Sequence, residues 1–565
     1  MIIQEKDFTK ADLIAFFLAK KDVKTVFLLS GGMIAFMADA ISKTKSIKLV
    51  NVRHEQSAGF AAEGATRVSG IPNVAMATSG PGATNLITSI ASSYFDSIPT
   101  VFITGQVNQL ELKKFKKQRQ NGFQELDIVN MVKGITKKSI RINSNHNLFE
   151  ELNEIWAIAL EGRPGPVLLD IPIDVQQEKS DLPPLLFDSP TPNMQNPNSA
   201  AKDLVSEIEI SQRPLILLGG GIRIAGQSEQ IRLITHKLKI PCVYSLMGVD
   251  ALDSTNEYRV GMIGSYGNRW ANQALARCDL LIALGTRLDI RQTGFDVKSF
   301  TKDKRIFRVD IDPIELKGRV NASTKMNINL KDFFKDLIDD DDYFKDFTEW
   351  HREIQMLKIA SPQKNEQAKE VGFNPDDIMR WIGDISVNSR GYFVDVGQHQ
   401  MWAAQSIALK PGQRFLTSGG LGSMGFALPA GIGASVDSNS SWTIISGDGC
   451  SQLSISELQT VKHYNLPLKI CIINNNQHGM VAQFQEGNLD GRFVATREDY
   501  SCPDFVQVAQ AFGISSISFD NLQDLEKNLV LVKNWDKGPL ILEFKVPNSA
   551  KALPKLGTNG SIHDL

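Results

Sequence analysis

Two periodicities alternate along the chain. Short apolar runs rich in β-branched residues, at 101–104, 167–171, 215–218, 280–284 and 306–311, are each followed by Gly, Pro or Asp. Between them, apolar positions recur at helical spacing. Strands alternating with helices in this way predict parallel α/β units. Two further runs, 442–445 and 470–473, each end in a polar cluster, and the run 47–50 leads into a helix of small residues expected at 58–67.

Two breaks interrupt the alternation. The stretch 176–200 is rich in Pro, Asn and Ser and loses hydrophobic periodicity, which reads as a surface linker. The stretch from 339 to about 373 mixes charge with helical spacing and reads as a charged helix or connector. The fold class expected is therefore α/β, with three doubly wound parallel-sheet domains at 1–178, 195–340 and 370–550.

Composition narrows the function classes. A chain of 565 residues, 42% of them hydrophobic, can build several cores. A net charge of −2 gives no overall basic field, so nucleic acid is not an expected partner. No apolar run approaches the length of a membrane span, and the first residues lack a signal-peptide pattern. The five cysteines form no C-x-x-C pair, which fits a reducing compartment. The expectation is a soluble cytoplasmic protein with no membrane partner.

The densest chemistry is Gly447-Asp448-Gly449, followed by Asn474-Asn475-Asn476-Gln477. Each cluster ends an apolar run, and their separation is close to the roughly 30 residues of a strand, crossover and second strand. Asp and amide oxygens suit a hard cation such as Mg²⁺, which keeps positions open for phosphate oxygens. Ligands of open α/β sheets bind beyond the carboxyl ends of strands. The pair therefore reads as a metal-diphosphate clamp.

This arrangement resembles the thiamine diphosphate signature. The resemblance implies side-chain metal ligands from Asp448 and Asn475 and a main-chain oxygen from Gln477. Glu55, in Val52-Arg53-His54-Glu55-Gln56, would then be the carboxylate that stabilises the imino form of the cofactor's aminopyrimidine.

Further motifs stand in register with a known family. They include Arg53-His54-Glu55-Gln56, Ala77-Thr78-Ser79-Gly80-Pro81-Gly82-Ala83-Thr84-Asn85, Gly122-Phe123-Gln124-Glu125 and Gly162-Arg163-Pro164-Gly165-Pro166. Gly397-Gln398-His399-Gln400-Met401-Trp402-Ala403 and Ser418-Gly419-Gly420-Leu421-Gly422-Ser423-Met424-Gly425 complete the set. Over almost its whole length the chain resembles the acetolactate synthase group of thiamine diphosphate enzymes.

That resemblance implies a pyrimidine-binding domain first, a flavin-type domain second and a diphosphate-binding domain last. It also implies a homodimer or homotetramer in which Glu55 of one chain serves the metal site of its partner. Gly32, Gly397, Gln398, His399, Gly422, Gly447, Gly449 and Met480 would bind thiamine diphosphate, with Met424 as the wedge that bends it. Gly220, Met247, Arg287, Arg291 and Asp310 match the family's FAD contacts, and arginine suits a diphosphate because its planar fork bonds phosphate at two points. Tyr266 departs from the His common in the family's Gly-Met-x-Gly-x-His run. Phe123 and Gln124 match the family's active-site Phe-Gln, with Gln124 contacting substrate and His399 only lining the site.

The reaction implied is decarboxylation of pyruvate and transfer of the two-carbon unit to a carbonyl acceptor. Here the chain departs from its family. Gly479-Met480-Val481-Ala482-Gln483-Phe484 carries Phe where Trp is common, so Met480 and Phe484 would border a roomier acceptor pocket. The segment before Phe123-Gln124 is longer than usual and basic, with Lys113, Lys114, Lys116, Lys117 and Arg119 around Phe115. Lys113 and Lys117 are candidates to hold acceptor phosphates. Three readings stay open beside acetolactate synthesis: two-carbon transfer to a nucleotide-linked keto sugar, a flavin-dependent pyruvate oxidase, and a degenerate binding protein.

Overall fold

The computed structural model describes residues 8–113, 117–181, 200–339, 345–366, 373–557 and 560–562. It contains three six-stranded sheets. The first comprises β1 (Thr25–Leu28), β2 (Lys48–Asn51), β3 (Val74–Ala77), β4 (Val101–Gln106), β5 (Lys138–Arg141) and β6 (Val167–Pro172), in the order β2-β1-β3-β4-β6-β5. The second comprises β7 (Pro214–Leu218), β8 (Cys242–Tyr244), β9 (Arg259–Met262), β10 (Leu280–Leu284), β11 (Arg305–Asp310) and β12 (Thr324–Asn327), in the order β12-β11-β10-β7-β8-β9. The third comprises β13 (Gly391–Val394), β14 (Arg414–Thr417), β15 (Trp442–Gly447), β16 (Leu468–Asn474), β17 (Ser515–Phe519) and β18 (Leu540–Lys545), in the order β14-β13-β15-β16-β18-β17.

Pairing is parallel throughout, from β1 with β2 to β17 with β18. Central strands such as β3, β4, β7 and β15 are buried along their whole length, because helices cover both faces. The expected three-sheet α/β class is what the chain adopts.

The small-residue helix spans Glu55–Ser69, three residues earlier than the apolar pattern marks. His54 caps it by accepting the Gln56 N–H at 3.1 Å, and Gly70, at φ 74°, ends it in the left-handed region. Its small residues meet the helix Ala427–Ser438. A Cβ on Gly64 would lie 2.1 Å from the Ala430 carbonyl oxygen, and one on Gly433 would lie 1.9 Å from that of Ala61. Only glycine permits that approach between two helix backbones.

The first sequence break needs correction, and the second holds a charged helix, one of its two expected forms. The linker expected from 176 begins later, because Gln176 is buried in the helix Ile173–Gln177 and donates to the carbonyls of Met33 (2.8 Å) and Ile171 (2.9 Å). Residues 182–199 lie outside those described. In the second break, the helix Thr348–Ala360 buries Trp350, Ile354 and Leu357 on one stripe, and Trp350 donates to the Pro214 carbonyl at 2.9 Å. That helix is part of the middle unit's core, with its charges on the outer face.

Candidate active site

In the third sheet β13 neighbours β15, and the chain winds away from that point in both directions. Such a switch leaves a crevice at the carboxyl ends of the strands. Gly397 follows β13 and Gly447 ends β15, and the ring of His399 lies between them. A Cβ would be 2.7 Å from that ring at Gly397 and 2.9 Å from it at Gly447. His399 is buried, and burial pushes its pKa down to about 3, so the imidazole is neutral at ordinary pH. Its Nε2 has no partner among the described residues. A buried orphan nitrogen between two glycine loops is what a bound polar group would satisfy.

The register of β15 on β16 sets Gly447 opposite Ile473, which brings Asp448 beside Asn474 and Asn475. Asp448 opens the helix Asp448–Leu453 and is buried; its Oδ2 accepts the Tyr500 hydroxyl at 2.9 Å. Burial pushes its carboxyl up to about 6. Asn475 spends its amide N–H on Gln398 Oε1 at 2.9 Å, which leaves its Oδ1 as an acceptor. The Gln477 side chain is engaged at both ends, donating to Asn548 O at 2.6 Å and accepting from Arg497 Nε at 2.6 Å. Its main-chain oxygen accepts the Gly479 N–H at 2.9 Å and keeps a second lone pair to face a ligand. One carboxylate with neutral oxygens fits a Mg²⁺ shared with a diphosphate.

The loop that carries Gly422 and Met424 is fixed by two carboxylates that sequence reading passed over. Asp395 accepts the N–H groups of Val396 and Gly425 (both 3.0 Å) and Ala427 (3.2 Å). Asp96, from the first unit, accepts those of Gly419 (3.0 Å) and Gly420 (2.6 Å) and pairs with Arg67 at 2.6 Å. Asp395 has a local signal, an acid ending an apolar run before a Gly. Asp96 has none, since the two loop N–H groups it accepts are more than 300 residues away in the chain.

The first sheet has the matching switch between β1 and β3, where a Cβ on Gly31 would lie 2.5 Å from Thr78 Cβ. Gly32 beside it has open space. Glu55 is buried at the start of its helix, with Oε2 held by the Asn85 amide at 2.9 Å. Gln124 adopts φ 65°, a left-handed conformation costly for a side-chain-bearing residue and common at functional sites. It packs on the same strand-end loop, since a Cβ on Gly80 would be 2.9 Å from Gln124 Cβ. Phe123 is 80% exposed.

Glu125 gathers the basic segment toward this motif by accepting the N–H groups of Lys113 (2.9 Å), Asn121 (2.7 Å) and Gly122 (3.3 Å). Burial works against the charge, yet those donors hold its carboxyl below the usual range. Lys113 and Lys117 are exposed, and Lys114, Phe115 and Lys116 lie outside the described residues. Met480 and the 54%-exposed Phe484 sit on the helix Gly479–Asn488 that follows β16. Among the described residues no hydrogen bond joins Glu55 to Asp448, Asn475 or Gln477 of the same chain.

A cavity of about 420 Å³ opens at the switch of the middle sheet, where β7 adjoins β10. Gly219 and Gly221 cross Gly285 so closely that a Cβ on Gly219 would lie 2.0 Å from the Gly285 oxygen. Gly220, Met247, Arg287, Arg291 and Asp310 all line the cavity, as do Arg67 and Asp96 from the first unit and Gly419 from the third. Arg287 pairs with Asp289 at 3.4 Å, whereas the Arg291 guanidinium has no hydrogen-bond partner among the described residues. Burial raises the Asp310 carboxyl.

Comparison with known proteins agrees with this geometry. Residues 8–131, 201–337 and 395–544 match the profiles described as the N-terminal TPP binding domain, the central domain and the C-terminal TPP binding domain of thiamine pyrophosphate enzymes. The chain is 34% identical to an acetolactate synthase of Mycobacterium leprae, over 99% of this chain and 90% of that protein. It is 33% identical to the acetolactate synthase large subunit of Lactococcus lactis, over 98% and 95%. It is 34% identical to the acetolactate synthase isozyme 2 large subunit of Escherichia coli, over 95% of each. With its three sheets, its two strand-end crevices and this full-length similarity, the chain belongs to the acetolactate synthase family of thiamine pyrophosphate enzymes.

Proposed function

We propose that this protein decarboxylates pyruvate and ligates the two-carbon unit to a second carbonyl, with pyruvate as the leading acceptor and acetolactate as product. The observation that carries the reading is the crevice between β13 and β15, where Asp448 and Asn475 stand side by side next to the unpartnered Nε2 of His399. Bound thiamine diphosphate supplies the carbon nucleophile and the electron sink for loss of carbon dioxide. Asp448, Asn475 and the Gln477 carbonyl would hold Mg²⁺. Gly397, Gln398, His399, Gly447 and Gly449 would line the diphosphate, with Gly32, Gly422, Met424 and Met480 nearer the rings. Glu55, oriented by Asn85, holds a proton on the pyrimidine, and Phe123 and Gln124 meet the substrate.

The active unit in this reading is a homodimer or a larger homo-oligomer. Among the described residues Glu55 makes no hydrogen bond to the cation residues of its own chain, and Phe123, Leu453, Val481 and Phe484 are left exposed on the loops and helices that follow the strands. FAD is proposed for the middle cavity, with Arg291 on its diphosphate and no net redox change. The division at 1–178, 195–340 and 370–550 is likewise proposed. No described helix is long and apolar enough to cross a membrane. All five cysteines are free and four are buried, in keeping with a cytoplasmic location.

Two-carbon transfer to a nucleotide-linked keto sugar is a second reading, favoured by exposed Phe484 and by Lys113, whose backbone Glu125 ties to the turn that carries Gln124. Product analysis with labelled pyruvate and a panel of acceptors decides between them. Acetolactate from pyruvate alone supports the first reading, and consumption of a phosphorylated keto sugar supports the second. Hydrogen peroxide in step with pyruvate loss would replace both with an oxidase.

A further inference from the structure

The segment 494–501 crosses back over the proposed cation residues. Ala495 adopts φ 55°, and the next residue, Thr496, is buried. The Thr496 carbonyl accepts the His478 N–H at 3.1 Å and its hydroxyl donates to Gln485 at 2.6 Å, which anchors the segment. Beyond the anchor, two side chains each reach one proposed ligand residue. Arg497 donates from Nε to Gln477 Oε1 at 2.6 Å and from NH2 to Asn548 O at 3.2 Å, with its guanidinium 3.8 Å over the Phe493 ring. Tyr500 donates its hydroxyl to Asp448 Oδ2 at 2.9 Å and accepts from Gln452 Nε2 at 3.2 Å. Its ring packs edge-on against His478 at 4.6 Å. Gly449 makes room for this contact, because a Cβ there would lie 3.1 Å from His478 and 3.3 Å from the Tyr500 oxygen.

A carboxylate that binds a cation through one oxygen is oriented by what its other oxygen accepts, and such outer partners set metal affinity. Among the described residues, Tyr500 provides the side-chain hydrogen bond to Asp448. We propose that Tyr500, backed by Arg497, is a positioning residue of the cation site, fixing the Asp448 carboxylate and the Gln477 backbone before Mg²⁺ and the diphosphate arrive. This rests on the Mg²⁺ reading above.

Tyr500→Phe keeps the ring against His478 and removes only the hydroxyl. Mg²⁺ is titrated into protein with thiamine diphosphate, and cofactor binding is followed by quenching of intrinsic tryptophan fluorescence. The Mg²⁺ concentration at half-saturation is expected to rise about 10–100-fold. Binding should recover at saturating Mg²⁺, and the thermal midpoint of the cofactor-free protein should be unchanged. Arg497→Lys should shift the Mg²⁺ midpoint in the same direction by less. A Tyr500→Phe midpoint within about twofold of wild type overturns the proposal, whatever the thermal midpoint does. Asp448→Ala separates the two levels. If it binds cofactor with undiminished Mg²⁺ dependence, the cation reading falls and takes this one with it; if it loses that dependence while Tyr500→Phe behaves as wild type, only the role of Tyr500 falls.

Discussion

The first and third sheets share one strand order, second-first-third-fourth-sixth-fifth, yet their crevices hold opposite chemistries. The third offers neutral oxygens, one carboxylate and a neutral buried histidine to a charged diphosphate. The first offers an oriented carboxylate, Glu55, and a strained Gln124. Topology supplies two equivalent crevices, and the few residues that follow each strand decide what each can bind. The two units also dock through equivalent helices, Glu55–Ser69 and Ala427–Ser438, each following the second strand of its sheet. Gly64 meets Ala430 and Gly433 meets Ala61, three residues apart along each helix and running in opposite directions. That is the contact expected across a local twofold axis.

If the two crevices divide the work as described, variants in them should fail differently. Glu55→Gln should slow pyruvate decarboxylation by roughly 10²–10⁴, the scale of lost acid-base assistance, while calorimetry shows Mg²⁺-dependent thiamine diphosphate binding close to wild type. Asp448→Ala should do the reverse at an earlier stage and abolish metal-dependent retention of the cofactor, because the diphosphate loses its neutralising cation. Near-normal decarboxylation by Glu55→Gln would remove the first crevice from the chemistry.

The shared docking contact is tested next. Gly433→Val would push two methyl groups toward the Ala61 backbone, and overpacking of this kind costs about 1–3 kcal/mol. A lower thermal midpoint of the cofactor-free protein is expected. Gly32→Ala, where nothing lies within 4 Å, should leave that midpoint unchanged. Equal midpoints for wild type and Gly433→Val would mean that the helices can part without loss.

Much of this arrangement was legible in the sequence, and what was not has a physical cause. Strand cores such as 280–284 coincide with the apolar runs because both faces are covered. Strand ends do not, since β4 runs on through Gly105 to Gln106, whose amide is satisfied by Asp170 and the Leu126 carbonyl far along the chain. The helix at Glu55 starts early because a histidine caps it, a residue outside the usual capping set. Asp448, Asn475 and Glu55 announce themselves by lying where apolar runs stop. Asp96 and Tyr500 act on partners that only the fold brings near, so no local pattern marks them.

The smallest expected effect concerns the acceptor, on the pyrimidine side of the comparison. Glu125 ties the Lys113 backbone to the turn that carries Gln124, and no hydrogen bond among the described residues joins Lys113 or Lys117 to the cation residues. Lys113→Gln with Lys117→Gln should leave decarboxylation unchanged, since that half-reaction does not meet the acceptor. Both lysines are exposed, and exposed ion pairs contribute only about 0.2–1 kcal/mol each. A phosphorylated acceptor should therefore show a rise of a few-fold in KM, while the KM for pyruvate as acceptor stays where it was. A shift confined to the phosphorylated acceptor favours the keto-sugar reading. Unchanged constants for every acceptor make the segment a solvated face and leave acetolactate synthesis as the function.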